Sequence, residues 1–311
     1  MYFPYLRGRQ FELIALRELL EGKRINKKIV PIIEPIKPSS TLLKTLQAFV
    51  NNDREIAVIC NPIVGDFSKK LKEMRQEGSK IAEDLHELLT TNNKVIKSYI
   101  MNRNVALKIK DKHGKDKFLI INSDRDSLDD FLEAYEDTLP RFTLIPDDRA
   151  FKRVIPDTKV LFEDNFKKKS RNIDYIDKLD EFFSDSHLYY QNENFIGFAD
   201  YSVVGEEFNE SGFAPIAVAI HIVYFDEKEQ LRIHHFVSDS NEGIEDPGGK
   251  FGEALEKLVY WCEENNVQNT LGLQGFYDCY KFGKYPGLGT VKKYSIMHHI
   301  ELISNFLGGK Q

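Results

Sequence analysis

Residues 28–37 read KIVPIIEPIK, a short apolar run that stops at Glu34 and Pro35. It is too short for a helix, and its Val and Ile content suits a buried strand. The pattern recurs along the chain. EIAVICNP (55–62) ends at Asn61, KFLIINSD (117–124) at Asn122 and Asp124, and RFTLIPDD (141–148) at Asp147 and Asp148. KVLFEDN (159–165) ends at Glu163 and Asp164, and FIGFADY (195–201) at Asp200. Counted outward from the first run, strands begin near 29, 55, 117, 141, 158, 194, 231 and 270, and most are followed by a helical pattern. Nearly continuous apolar strands belong to a parallel sheet covered on both faces. Eight β/α units in 311 residues predict an α/β fold of the (β/α)8 TIM-barrel type. An open α/β sheet with a β-rich appendage is the alternative. The expected barrel is one irregular domain over 1–311. It has a helical lead-in at 1–28, an insertion at 94–116 and a β-rich insertion at 201–228, with an extra strand near 215–225.

Composition narrows the function classes. A hydrophobic content of 41% is ample for a large core. A formal charge of −6 argues against broad, nonspecific coating of nucleic acid, while leaving room for a local basic groove. The cysteines, Cys60, Cys262 and Cys279, are odd in number and widely spaced, so a disulfide framework or zinc site is not expected and a reducing cytoplasm fits. Cys60 lies in an apolar run and reads as a core thiol. Arg7, Arg9, Glu12 and Arg17 interrupt the first apolar residues, so no signal peptide is read there. No apolar window is long enough to span a membrane, and no membrane partner is expected.

In a barrel of this type the carboxyl ends of the strands form the working face. The recurring acids and amides would ring it. Asp124, Asp147 and Asp148 precede helix starts and read as caps. Glu34 is a poor cap, and no helix follows Asp200. Glu34, Asp164 and Asp200 are therefore the candidate catalytic acids, with Asn61 behind them. Converging carboxylates hold Mg²⁺ or Mn²⁺, for which Glu34 and Asp200 are the candidate ligands, or they act as a general acid and base. Zinc is disfavoured. The doublet His234-His235 lies on a strand, whose neighbouring residues point to opposite faces. Two stretches would suit phosphate. NFKKKSR (165–171) supplies Lys168 and Lys169, against the plainer reading of a solvated charge run. EDPGGKFGEAL (245–255) puts Gly249 and Lys250 at a helix start, against that of a Pro-Gly turn.

YFPYLRGRQFELIALREL (2–19), followed by KIVPIIEPIK, resembles the start of the phage beta-protein family and related bacterial proteins. The matching residues are Tyr2 or Phe3, Pro4, Leu6, Arg7, Arg9, Glu12, Ala15, Leu16, Pro31, Ile33 and Glu34. The resemblance is clear over about 35 residues, and FADYSVV resembles the family's late strand. It implies a barrel-like α/β fold and a setting in phage or mobile elements, and it brings Arg7, Arg9 and Glu12 beside Glu34 as residues of interest. It implies no activity. Three functions stay open. One is a metal-dependent phosphodiester or nucleotide hydrolase, acting on a phosphorylated small molecule or nucleic acid. Another is a non-catalytic recognition subunit, in phage defence, binding a partner protein or nucleic acid. The third is a glycosidase-like carboxylate pair.

Overall fold

The computed structural model describes residues 1–209 and 216–309. In chain order its elements are β1 (Tyr2–Leu6), α1 (Gln10–Glu21), β2 (Ile32–Ile33), α2 (Ser40–Asn51), β3 (Ile56–Ile59), α3 (Phe67–Gln76), α4 (Lys80–Thr91), β4 (Val95–Ile100), α5 (Arg103–Ile109), β5 (Leu119–Ile121), α6 (Leu128–Ala134), β6 (Phe142–Ile145), α7 (Arg149–Val154) and β7 (Lys159–Glu163). There follow β8 (Asp180–Ser184), α8 (Ser186–Tyr189), β9 (Gly197–Asp200), β10 (Ala219–Phe225), β11 (Leu231–Val237), α9 (Pro247–Glu264), α10 (Leu271–Phe282) and α11 (Leu288–Gly308). The residues fall into two compact units. One comprises 1–21, 27–163 and 189–200, the other 22–26, 164–188 and 201–311.

The first unit is a closed barrel of eight parallel strands in the order β1-β2-β3-β4-β5-β6-β7-β9, with helices between successive strands. Phe3 meets Phe142 and Tyr5 meets Phe162, with ring centroids 4.9 and 5.4 Å apart. Neither β6 nor β7 neighbours β1, so these contacts cross the lumen, and Phe3 and Tyr5 point inward. The interior is a packed core, as in other barrels of this architecture.

The strand count agrees with the sequence reading, but the strands differ. The residues read as a helical lead-in begin with β1, which pairs with both β2 and β9. Pro4 obscured it, because proline within an apolar run argues against a central strand. The expected insertion at 94–116 contains β4, paired with β3 and β5. Lys97 and Tyr99 break its apolar run. The strands expected at 231 and 270 are not in the barrel. β11 pairs antiparallel with β10 and β8. Residues 271–282 are helix α10, capped by Thr270, whose side chain accepts from the Leu273 N–H. Gly272 and Gly275 mimic strand punctuation, but they admit α11. A Cβ on Gly272 would lie 2.2 Å from the Tyr294 carbonyl oxygen.

The second unit is built on the sheet β10-β11-β8 with α9, α10 and α11. The extra strand expected near 215–225 is β10, a member of this sheet; residue 215 lies outside the described residues. Ile220, Ile222 and Phe236 pack with Phe251, Leu255 and Leu258 of α9 and with Phe276 of α10. The chain expected as one domain over 1–311 divides into two compact units, and this unit has a core of its own. Residues 172–184, which alternate apolar and acidic side chains, form a 3-10 turn and then β8, not the amphipathic helix their spacing suggests.

Candidate functional site

A buried polar cluster lies at the top of the barrel lumen, around Glu34. Ile32 is the register partner of Tyr5, so Ile32 and Glu34 face inward with Tyr5 and Arg7. Glu34 is fully buried, and Arg7 is nearly so. The Arg7 guanidinium is paired with Glu34 Oε2 and lies over the Tyr5 ring, 5.2 Å from its centroid. The Tyr5 hydroxyl donates to the same carboxylate at 2.7 Å. Glu34 Oε1 accepts from the Ile63 and Val64 amides at 2.8 and 3.3 Å. One carboxylate thus joins β1, β2 and the loop after β3. A buried charge is tolerated where a counter-ion and hydrogen bonds occupy its lone pairs, and here both do.

Asp200 lies on the other face of the barrel wall. Its register partner is Pro4, and Ala199 partners the inward-facing Phe3, so Phe198 and Asp200 face outward with Tyr2. The Tyr2 hydroxyl donates to Asp200 at 2.7 Å. Burial first, and then the Asp200 charge, push the Tyr2 phenol well above its ordinary value. Glu34 and Asp200 therefore do not converge, which corrects the expected pairing of the two as ligands of one ion.

The other candidates serve local structure. Asn61 bonds both backbone groups of Ile100, accepting from its N–H at 2.9 Å and donating to its carbonyl at 2.8 Å. Arg9 donates its amide to Glu12 at 3.2 Å, at the start of α1. Asp164 accepts from the Phe166 and Glu206 amides and orders a turn of the second unit. Lys168 pairs with Glu207 at 3.2 Å. Lys169 is exposed, and its amide donates to the Tyr175 hydroxyl. Gly249 donates its N–H to the Asp246 side chain, the N-cap of α9, so one of the amides offered to an anion is already taken. Lys250 is buried and donates to the Gly243 carbonyl. Asp239, Glu242, Glu245 and Asp246 line the same cleft, a setting that repels phosphate. Asp124 and Asp148 cap their helical turns, accepting from Asp126 and Ala150. Burial pushes the Cys60 thiol up, the behaviour of a core thiol and not of a nucleophile.

Mg²⁺ and Mn²⁺ require several oxygen ligands around one point. Among the described residues no group of three His, Cys, Asp or Glu side chains is arranged to hold an ion. Glu34 has its oxygens committed, and Asp200 faces away from it. The residues named for the metal do not fit one.

The sequence reading missed two partners and one cluster. Tyr5 and Arg7 sit two apart on a strand, so recognising β1 would have put both on Glu34's face. In the second unit, His235 and His234 point to opposite faces of β11. His235 Nδ1 lies 2.8 Å from His221 Nδ1, and its Nε2 lies 3.5 Å from Glu181. His234 bonds Asp180 and stacks on Trp261. Burial alone would raise Glu181, but Lys178, Lys167 and His235 outweigh it and hold the carboxyl low. Burial holds His235 down to about 4, so the histidine pair is neutral at pH 7.

The architecture defines an eight-stranded (β/α) barrel protein with an appended α+β unit. No family model, curated protein or solved structure matches the chain.

Proposed function

We propose that the protein is a recognition subunit, engaging a partner through its outer surface, and not a metal-dependent hydrolase working at the barrel mouth. The observation that carries this reading is the state of the strand-end acids. Glu34 accepts from Tyr5, Arg7, Ile63 and Val64, while Asp200 lies behind the wall on Tyr2. A catalytic carboxylate must reach a substrate proton or metal, and these two are spent on holding strands and loops. Asp164 and Asn61 are engaged in the same way. The N-terminal resemblance to proteins of phage and mobile elements is in keeping with a recognition role in defence.

The test is a phosphodiesterase assay on bis(p-nitrophenyl) phosphate with Mg²⁺ or Mn²⁺, using wild type, Glu34→Gln and Asp200→Asn. The expected result is no turnover above buffer in any of the three. Turnover by the wild type that disappears in a folded Glu34→Gln or Asp200→Asn protein would contradict the reading and restore the hydrolase.

A further inference from the structure

Among the described residues, three lysines on the outside of the barrel form no ion pair. Lys97 projects outward from β4, beside Tyr99. Lys108 lies in the last turn of α5, and Lys112 lies in the turn after it. The ammonium groups of Lys108 and Lys112 each lie 5.9 Å from the centroid of the Tyr99 ring, and Lys112 is also 5.5 Å from that of Phe118. Lys97 donates to the Thr90 carbonyl at 3.2 Å, a contact that brings no negative charge. The acids nearby are committed elsewhere. Asp130 and Glu133 pair with Arg103, and Glu133 also takes Lys110. Lys115 donates to the carbonyls of Lys110 and Ala134. Among the described residues, Asp111 and Asp116 of the same segment form no ion pair with the three. Partial burial first, and then the charges of Lys97 and Lys108, hold Lys112 below its ordinary value.

A solvated charge run scatters its charges. Here two segments 11 residues apart or more bring three like charges together, two of them over the Tyr99 ring, where cation–π contact offsets only part of their repulsion. An anion would remove the rest. We infer that Lys97, Lys108 and Lys112 form a docking surface for the phosphodiester backbone of a nucleic acid. This inference rests on the recognition reading and names the class of partner.

The shape of the surface selects the polyanion. A small phosphate ligand needs a concave site with convergent donors, whereas Lys108 and Lys112 are exposed on a helix end and the turn after it. Lysine acts as a point charge without the bidentate fork of arginine, which suits phosphates spaced along a strand. A membrane surface would call for apolar residues inserted beside the lysines, and the exposed Leu107 stands alone among them. The net charge of −6 does not oppose a local patch, because salt screens charges that lie more than a Debye length away.

The experiment is fluorescence anisotropy with a short labelled DNA duplex and a single-stranded RNA of the same length, over a range of salt concentrations. Neutralising phosphates on a duplex changes log K against log salt by about −0.9 per contact, so three lysines give a slope of about −3. Lys97→Gln, Lys108→Gln and Lys112→Gln should each lessen that slope by about one, with no change in sequence preference. Thermal melts check that each variant is folded; Lys108 and Lys112, being exposed, carry the decision if Lys97→Gln is not. Binding to RNA and not to DNA, with the same loss in the variants, supports the inference and identifies the source. Wild type and variants binding with equal slopes would overturn it while leaving nucleic-acid recognition to another surface. No binding to either probe at low salt, or binding to phosphatidylserine vesicles instead, would also overturn it. The phosphodiesterase assay judges the recognition reading separately.

Discussion

At the scale of the residue, Glu34 carries the most consequence. Removing it takes a carboxylate from the buried Arg7 and frees two loop amides. Breaking a buried pair in this way costs about 3–5 kcal/mol, so Glu34→Ala is expected to lower the urea midpoint sharply. Tyr5→Phe removes a single hydrogen bond to a charged group and should cost about 1.5–3 kcal/mol. His298 shows the same economy in the second unit. Its Nε2 donates to the Val223 carbonyl at 2.7 Å, which leaves Nδ1 to accept from the Thr270 hydroxyl at 2.8 Å. Burial holds His298 down to about 4 and His299 to about 3. Both values lie below that of an unfolded histidine, about 6.5, so between these limits the unfolded chain binds more protons. Stability is therefore expected to fall as pH drops from about 6.5, with the loss from these groups complete near pH 3 to 4. Thermal melts across that range check it, and His298→Gln should flatten the curve. An acid limb of unchanged steepness in that variant would count against the assignment. Glu34 stood out in the sequence because a carboxylate between Ile33 and Pro35 is neither cap nor surface residue. Its partners were hidden, because they lie on a strand disguised by Pro4.

At the scale of the element, helix ends and close approaches set the second unit. Asp246 caps α9 through the Gly249 amide, at 2.9 Å. Asp246→Ala should cost about 1 kcal/mol, measured by chemical denaturation. Gly272→Ala should cost about 1–3 kcal/mol, because its methyl group would meet the Tyr294 carbonyl and the two helices would have to part. A neutral result there would mean that α10 and α11 are less tightly packed than described. These elements also show where sequence reading succeeds. Apolar runs such as IAVI and FTLI are strands because burial on both faces demands them. TLGLQGF failed because glycine signals close approach as well as turns. The doublet His234-His235 was legible, since alternation along a strand separates neighbours whatever sheet the strand joins.

At the scale of the whole molecule, eight β/α repeats were countable, whereas membership of the barrel was not. Periodicity reports that a strand is buried; it does not say which sheet buries it, and five of the seven residues of β11 are buried. Convergence of the strand-end acids was likewise beyond the sequence. Whether a residue faces the lumen depends on register, and a shift of one residue along β9 reverses the side. Asp200 is on the outer face for that reason alone. None of the described helices is long and apolar enough to cross a membrane. The central claim is that the acids at the strand ends serve the fold and not a metal. Calorimetric titration of Mn²⁺ into the wild type and into the Glu34→Gln, Asp200→Asn double variant tests it most directly. No saturable binding to either protein is the expected result. Tight, stoichiometric binding to the wild type that is lost in the double variant would contradict it, and would require both carboxylates to reach one ion.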